Sequence, residues 1–373
     1  MSADSSHADD IAMKGGGYYS LATKGAKDVI DMATPLVMQA LDGIDLARHD
    51  GPFTMADMGC ADGGTSIDMI GKVVDRVRGA APTVPISIVY TDQPNNDYNA
   101  LFRIVYGMTD IETALPTCDN VHLFASATSF YRRILPPATL DLGFSATAMH
   151  WLSAKPGDIS DHVQAIGASG AELAAFVEQG RQDWERILLC RAAEMAPGGR
   201  MVMVNFGKDE QGRYLGNTGG VHMFDTFNEI WRSFVADGTV TETEYVAATL
   251  PQYYKTLEEF TDPLTDPSSA VYQAGLRLEH AETRVVACPY AAEFRADQSR
   301  GDGDPAAFAK AYIPTLRSWT ESTFFAALSP DRPVEERRAI IDAYYGEYEA
   351  QVRNDPAGHG MDYVHAYLIV SKG

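Results

Sequence analysis

The chain has 373 residues, 45% hydrophobic and 22% charged, a balance that excludes global disorder and allows a core without disulfide or metal staples. Its 30 Lys+Arg against 51 Asp+Glu leave a formal charge of −21, which disfavours phosphate backbones and anionic membranes as partners and otherwise keeps a protein in solution. Cysteines stand at 60, 118, 190 and 288 with neither CxxC nor zinc spacing, so free thiols in a reducing compartment are expected. No basic and apolar leader opens the sequence, and no run reaches the ~18–20 apolar residues of a membrane span, so a soluble, cytoplasmic protein is expected.

In chain order, 53–59 reads as a short buried strand running into a glycine-rich turn, and 66–78 as a helix with Ile67, Ile70, Val74 and Val77 on one face. Strands follow at 85–92, 121–126, 139–147 and 198–207, with helices at 96–107 and 183–195, the latter stopped by Pro197-Gly198-Gly199. Beyond 207 the pattern changes to aromatic-rich helical runs over 211–262, then a strand at 276–287, an exposed loop at 295–305 and a helix at 306–328. An amphipathic helix at 334–353 and a strand at 361–371 close the chain. Strands alternating with helices predict an α/β fold, doubly wound around a mostly parallel sheet. The late helical additions are placed to roof a site at the carboxyl ends of the strands.

The chemistry concentrates first in Asp57-Met58-Gly59-Cys60-Ala61-Asp62-Gly63-Gly64. Glycines let a ligand approach the backbone, but this is not the three-glycine phosphate fingerprint, and Asp57 and Asp62 would repel a phosphate. A nicotinamide dehydrogenase is therefore disfavoured. A ligand without phosphate and with a cationic end fits better, and S-adenosylmethionine is one. Asp92, at the end of the second strand, is placed for ribose hydroxyls. A tight structural turn explains the first motif alone equally well; Asp92 shifts the balance. No His, Cys, Asp or Glu spacing forms a metal-ligand set, so no metal is expected.

Further stretches carry a resemblance: MKGG at 13–16, TDQPNNDYNALFR at 91–103, SFYRRILPP at 129–137, MHWLSAKP at 149–156, CRAAEMAPGGRMV at 190–202 and LPQYY at 250–254. With ADMGCADGG at 56–64 they run nearly the whole chain, which resembles the SABATH methyltransferases. That resemblance implies a Rossmann-like class I fold with a seven-stranded sheet and a helical cap. It implies methyl transfer from S-adenosylmethionine to a small, aromatic or apolar carboxylic acid, with S-adenosylhomocysteine as product, and a homodimer. Cofactor positions carry over to Tyr19, Thr23, Asp57, Gly59, Asp92, Ser129 and Phe130, with Asp62 beside them in the same turn. Trp151 matches the tryptophan whose indole N–H holds the acid, and His150 is a second candidate donor. Core packing is the competing reading for both. Lys14, Thr147, Met149, Met223, Phe224, Tyr253, Trp319 and Tyr363 are candidates for the substrate wall, each equally explicable as core.

Two departures stand out. Carboxyl-methylating members carry a glutamine where Ala26 stands, with Lys24 and Lys27 nearby, and many carry a tyrosine where Thr147 stands. A ring-nitrogen methyltransferase and a catalytically silent cofactor-binding protein are the alternatives. The expected core is 1–210, completed by 266–295 and 334–373, with 155–182, 211–265 and 302–333 as cap.

Overall fold

The computed structural model describes residues 23–46 and 51–373. The strands are β1 (Phe53–Met58), β2 (Ile86–Asp92), β3 (Val121–Ala127), β4 (Leu140–Ala146), β5 (Met195–Lys208), the two-residue β6 (Lys255–Thr256), β7 (Leu276–Val286) and β8 (Tyr363–Lys372). Seven form one path in the order β3-β2-β1-β4-β5-β8-β7, and β6 pairs with β5 off that path. From β3 to β5 the pairing is parallel, and β8 runs antiparallel to both β5 and β7. This is the expected doubly wound, mostly parallel sheet. Its central strands read as continuous apolar runs because helices cover both faces.

On one face lie α1 (Lys24–Asp42), α2 (Ile67–Ala80) and α3 (Tyr98–Val105), burying Val29, Val37, Ile70, Val74 and Leu101 against Phe53, Met55 and Leu142. On the other lies α4 (Gly170–Glu194), with Trp184, Ile187 and Leu188 packed on Met58, Met201 and Leu368. The expected helix at 183–195 is the last part of this longer one. Helices α5 (Met223–Ala236), α6 (Glu242–Ala247), α7 (Leu257–Thr265), α8 (Ala270–Gln273), α9 (Pro289–Arg300), α10 (Pro305–Ala327) and α11 (Val334–Asn354) follow. No helix among the described residues is long and apolar enough to cross a membrane.

Three details differ from the sequence reading. Residues 295–300 are helix, because the charged run is the solvated face of α9 and the stop is Gly301, at φ 87° in the left-handed region. Strand β5 begins at Met195, and a register shift between Leu140 and Leu142 accommodates the Pro197-Gly198-Gly199 stretch inside it. Helix α11 packs on α10 and α5 rather than on the sheet, whereas α7 packs on β7. Between α5, α10 and α11 lies a cluster of rings: Phe227 stacks on Tyr344 at 6.3 Å, and Trp231 meets Tyr344 and Phe324 edge-on at 5.2 Å each.

A buried ion pair ties α4 to the loop after β3. Arg191 and Glu194 are both fully buried, with Arg191 Nη2 donating to Glu194 Oε1 at 2.8 Å. Arg191 also donates to the carbonyls of Phe130 (3.2 Å) and Arg132 (2.7 Å), and Glu194 accepts from the Ile134 N–H at 2.5 Å. Breaking one partner of such a pair leaves a buried charge uncompensated. Arg191→Met is expected to lower stability by about 3–5 kcal/mol in denaturant unfolding, and to loosen residues 130–134, which limited proteolysis would read.

Candidate active site

Strand β1 ends beside its neighbour β2, and the turn that follows is tied to β2 by backbone and side chain. Gly59, at φ 78°, donates its N–H to Thr91 O at 2.8 Å, and Ala61, at φ 49°, donates to Asp92 Oδ2 at 2.8 Å. A Cβ on Gly59 would lie 2.4 Å from the Ala148 Cβ, so glycine serves both the conformation and the close approach of the loop after β4. The 91–103 stretch completes the tie. Asn96 Nδ2 donates to Ala61 O at 2.8 Å, Asp97 caps α3 by accepting from the Ala100 N–H at 3.0 Å, and the Tyr98 hydroxyl donates to Asp92 O at 2.7 Å.

Two carboxylates result. Asp92 is fixed at both oxygens, accepting from Ala61 and from the Gln93 N–H at 2.7 Å. Burial raises its pKa against those two hydrogen bonds. Asp57 is fully buried and accepts from Ser66 Oγ at 2.6 Å. Burial pushes it up to about 7; the Ser66 hydrogen bond opposes this, and the Asp92 charge adds to it. Among the described residues no basic side chain compensates either acid.

A cleft of about 1140 Å³ opens over these strand ends, with Gly59, Asp92, Ser129, Phe130, Trp151 and Trp319 in its wall. A second cavity of about 370 Å³ is lined by Thr23, His150, Phe206, Tyr254, Met361 and Tyr363. The two share Thr147, Trp151 and Trp319. A third, smaller one brings Ala26 beside Asp57, Gly59 and again Thr147.

The second cavity is apolar and electrically neutral. His150 is 4% exposed, and its Nδ1 has no hydrogen-bond partner among the described residues. Burial, with help from the Lys255 charge, lowers its pKa to about 3, so it is uncharged at physiological pH. Its ring meets Phe206 edge-on at 4.8 Å and lies 5.9 Å from that of Tyr254. A Cβ on Gly25 would come within 2.2 Å of Tyr363 Cε2, so glycine is what lets the first turn of α1 close on that ring.

The structure thus gathers Thr23, Gly59, Asp92, Ser129, Phe130, Thr147, His150, Trp151, Trp319 and Tyr363 around two joined cavities, with Asp57 at the third. Asp62 is buried and turns to its own loop, accepting from the Gly64 N–H at 3.3 Å. Lys14 and Tyr19 lie outside the described residues. Lys27 is engaged with Asp31 and Asp68 on the outer face of α1.

Four expected wall residues are placed elsewhere. Met149 packs under the sheet with Met58 and Trp184. Met223 is core against the Gly216 turn. Phe224 stands behind the wall, 5.9 Å from the Tyr254 ring and 6.1 Å from that of Trp319. Tyr253 points the other way, donating to Glu259 Oε1 at 2.7 Å, and its neighbour Tyr254 takes the cavity position. Consecutive residues in an extended segment face opposite sides, so a one-residue slip exchanges wall for core. Phe206, Tyr254, Met361 and the buried His365 went unselected. Phe206 lies near the end of β5, the strand-end logic that selected Asp92, and that signal was available for it.

The geometry can be set beside known proteins. Residues 9–356 match the model of the SAM dependent carboxyl methyltransferase family. The chain belongs to that family, and it is an S-adenosylmethionine-dependent enzyme. Indole-3-acetate O-methyltransferase 1 of Arabidopsis thaliana is 28% identical over 276 residues, covering 68% of this chain and 72% of the relative. Loganic acid O-methyltransferase of Catharanthus roseus is 27% identical over 271 residues, covering 66% and 70%. A solved loganic acid methyltransferase with SAH superposes with a TM-score of 0.75 at 21% identity, covering 97% of this chain and 98% of that one, and shares its fold.

The donor set suits the family's cofactor. Buried Asp57 and part-buried Asp92, with no counter-cation among the described residues, are costly as charges and favour a ligand carrying positive charge. The pKa of Asp57 turns that cost into a pH dependence. An unfolded aspartate titrates near 4, and folded Asp57 near 7. Between these values the folded state holds the extra proton, so stability of the cofactor-free protein falls as pH rises, and the loss is complete above about 7. Asp57→Asn is expected to raise the melting temperature of the cofactor-free protein at pH 8 by a few degrees and to leave it unchanged near pH 4, checked by thermal melts across that range.

Proposed function

We propose that the chain methylates the carboxylate of a small aromatic or apolar acid, giving a methyl ester and S-adenosylhomocysteine. The carrying observation is the shared wall: Thr147, Trp151 and Trp319 face both the acidic cleft and the ring-lined cavity. A cationic donor and an apolar acceptor are thereby brought edge to edge. Relatives named for indole-3-acetate support an acid with a ring.

When bound, S-adenosylmethionine supplies an electrophilic sulfonium methyl. The chain's residues do the rest. On this reading Asp92, rigid at both oxygens, receives the ribose hydroxyls, Asp57 faces the ammonium end, and Ser129 and Phe130 flank the adenine. The acid needs no general base, since a carboxyl of pKa roughly 4 is already ionised. Trp151 and neutral His150 orient it. With no cation in that wall among the described residues the carboxylate keeps its nucleophilicity, and the rings exclude water that would otherwise solvate it. We further propose a homodimer, which the resemblance supplies, and a cytoplasmic location, which four free cysteines support.

Ala26 favours a second reading. It puts a methyl group where the carboxyl-methylating members present an amide, beside Asp57 and Thr147, and so removes one donor to the acid. A ring nitrogen as acceptor would tolerate that loss.

Methyl-labelled S-adenosylmethionine offered with indole-3-acetate, benzoate and salicylate, and separately with ring-nitrogen acceptors, decides between them. Base-labile volatile label is expected; label that survives base would move the assignment to nitrogen. Trp151→Phe is expected to cut turnover about 10-fold or more by removing one hydrogen bond to a charged group, with S-adenosylhomocysteine affinity unchanged in calorimetry. Asp57→Asn is expected to do the reverse first, weakening S-adenosylhomocysteine binding about 10-fold at pH 8. That difference shrinks below pH 6, where the wild-type carboxyl is itself protonated.

A further inference from the structure

We propose that His365, which touches neither cavity, is a positioning residue that holds the Thr147 hydroxyl as a hydrogen-bond donor to the acceptor carboxylate. The proposal rests on the carboxyl reading above and deepens it.

Among the described residues Thr147 alone borders all three cavities at the strand ends. It does so in a strained backbone, at φ 57°, unusual for a β-branched residue. The conformation is fixed by its N–H, which donates to Val204 O at 2.8 Å, and by its hydroxyl, 3.1 Å from His365 Nε2. His365 lies on β8, is fully buried, and is stacked on Phe206 at 4.2 Å and on Tyr363 at 6.0 Å. Both rings belong to the wall of the smaller cavity. Burial holds the imidazole well below its usual pKa, so it is neutral.

A neutral imidazole has one N–H, and the surroundings choose which nitrogen carries it. Nδ1 of His365 has no partner among the described residues. A proton there would be a buried donor without an acceptor, which is rarer than an unused acceptor. The proton therefore sits on Nε2 and is donated to Thr147 Oγ1. Thr147 has then accepted one hydrogen bond, and its own proton is free. Aimed into the joined cavities, that proton suits an oxygen anion and rejects an N–H. The opposite tautomer would take the Thr147 proton and leave only lone pairs facing the acceptor. Where a tyrosine would fill the space, this chain uses a small hydroxyl and a histidine behind it. The position of Ala26 across the third cavity leaves the hydroxyl as a replacement donor for the missing amide.

Two measurements test this. In the cofactor-bound enzyme with histidine labelled by nitrogen-15, His365 is identified by loss of its signal in His365→Gln. Its Nε2–H form is expected; an Nδ1–H form would overturn the proposal whatever the acceptor. The second is saturation kinetics with the acid from the benzoate, salicylate and indole-3-acetate panel that wild type esterifies fastest. Thr147→Val and His365→Phe are each expected to raise KM for the acid about 10-fold, with S-adenosylhomocysteine affinity unchanged. Thr147→Ser, and His365→Gln with an amide N–H near the Nε2 position, are expected to stay within about 3-fold, well inside the loss of one charged hydrogen bond. The double variant Thr147→Val/His365→Phe is expected to be no worse than either single one, because both remove the same hydrogen bond. Additive losses, an unchanged KM or failed rescue would overturn the His365 role while base-labile product kept the carboxyl reading intact. Base-stable product from wild type would remove both.

Discussion

Two strand-end carboxylates, with no cation beside them among the described residues, constrain the rest of this site. Asp57 and Asp92 lie at the ends of neighbouring strands, and keeping them there takes a turn with two consecutive stretches of left-handed backbone, at Gly59 and Ala61, together with the Asn96, Asp97 and Tyr98 hydrogen bonds. That is a large investment of specific residues in a site that is unfavourable when empty. It makes sense if the missing charge arrives with the cofactor, and the strain is of the kind that collects where a fold is built around a ligand.

The neighbouring cavity is organised on the opposite principle. His150 in its wall and His365 behind it are desolvated until neutral, its walls are mostly rings, and its polar atoms are few. A protein of net charge −21 would repel an acid at long range, so the acceptor must be drawn by apolar contact and by a few aligned donors. The two cavities thus differ in dielectric and in charge while sharing the Thr147, Trp151 and Trp319 edge. An ionic pair of reactants becoming neutral products is favoured by that junction.

The fold was legible because its signals are local. Apolar runs gave the strands, 3.6-residue spacing gave α2, and the glycine turn with Asp57 and then Asp92 marked the strand ends. Ser129 and Phe130 carried no such signal and were selected only by resemblance, since their position depends on the Arg191–Glu194 pair behind them. The acceptor wall was the least legible. Phe206 lies on β5, Tyr254 just before β6 and Met361 just before β8, with His365 behind them on β8, and no spacing in one dimension announces that they converge. Tyr253 and Tyr254 show the limit most plainly, because two adjacent tyrosines have the same propensity and opposite fates. Met149 and Met223 are both buried, and residue type does not distinguish a wall from a core.

The order of the sheet has a bearing on how the enzyme comes into being. Strand β8, which carries Tyr363 and His365, is threaded antiparallel between β5 and β7. A chain emerging from the ribosome can assemble the strand-end turn that holds Asp57 and Asp92 from β1 and β2 early, yet the sheet stays split beside β5 until β8 inserts. Cofactor recognition could thus be acquired before acceptor recognition. A nascent chain would hold the methyl donor without being able to place anything in front of it, and competence for transfer would switch on with the insertion of a single strand.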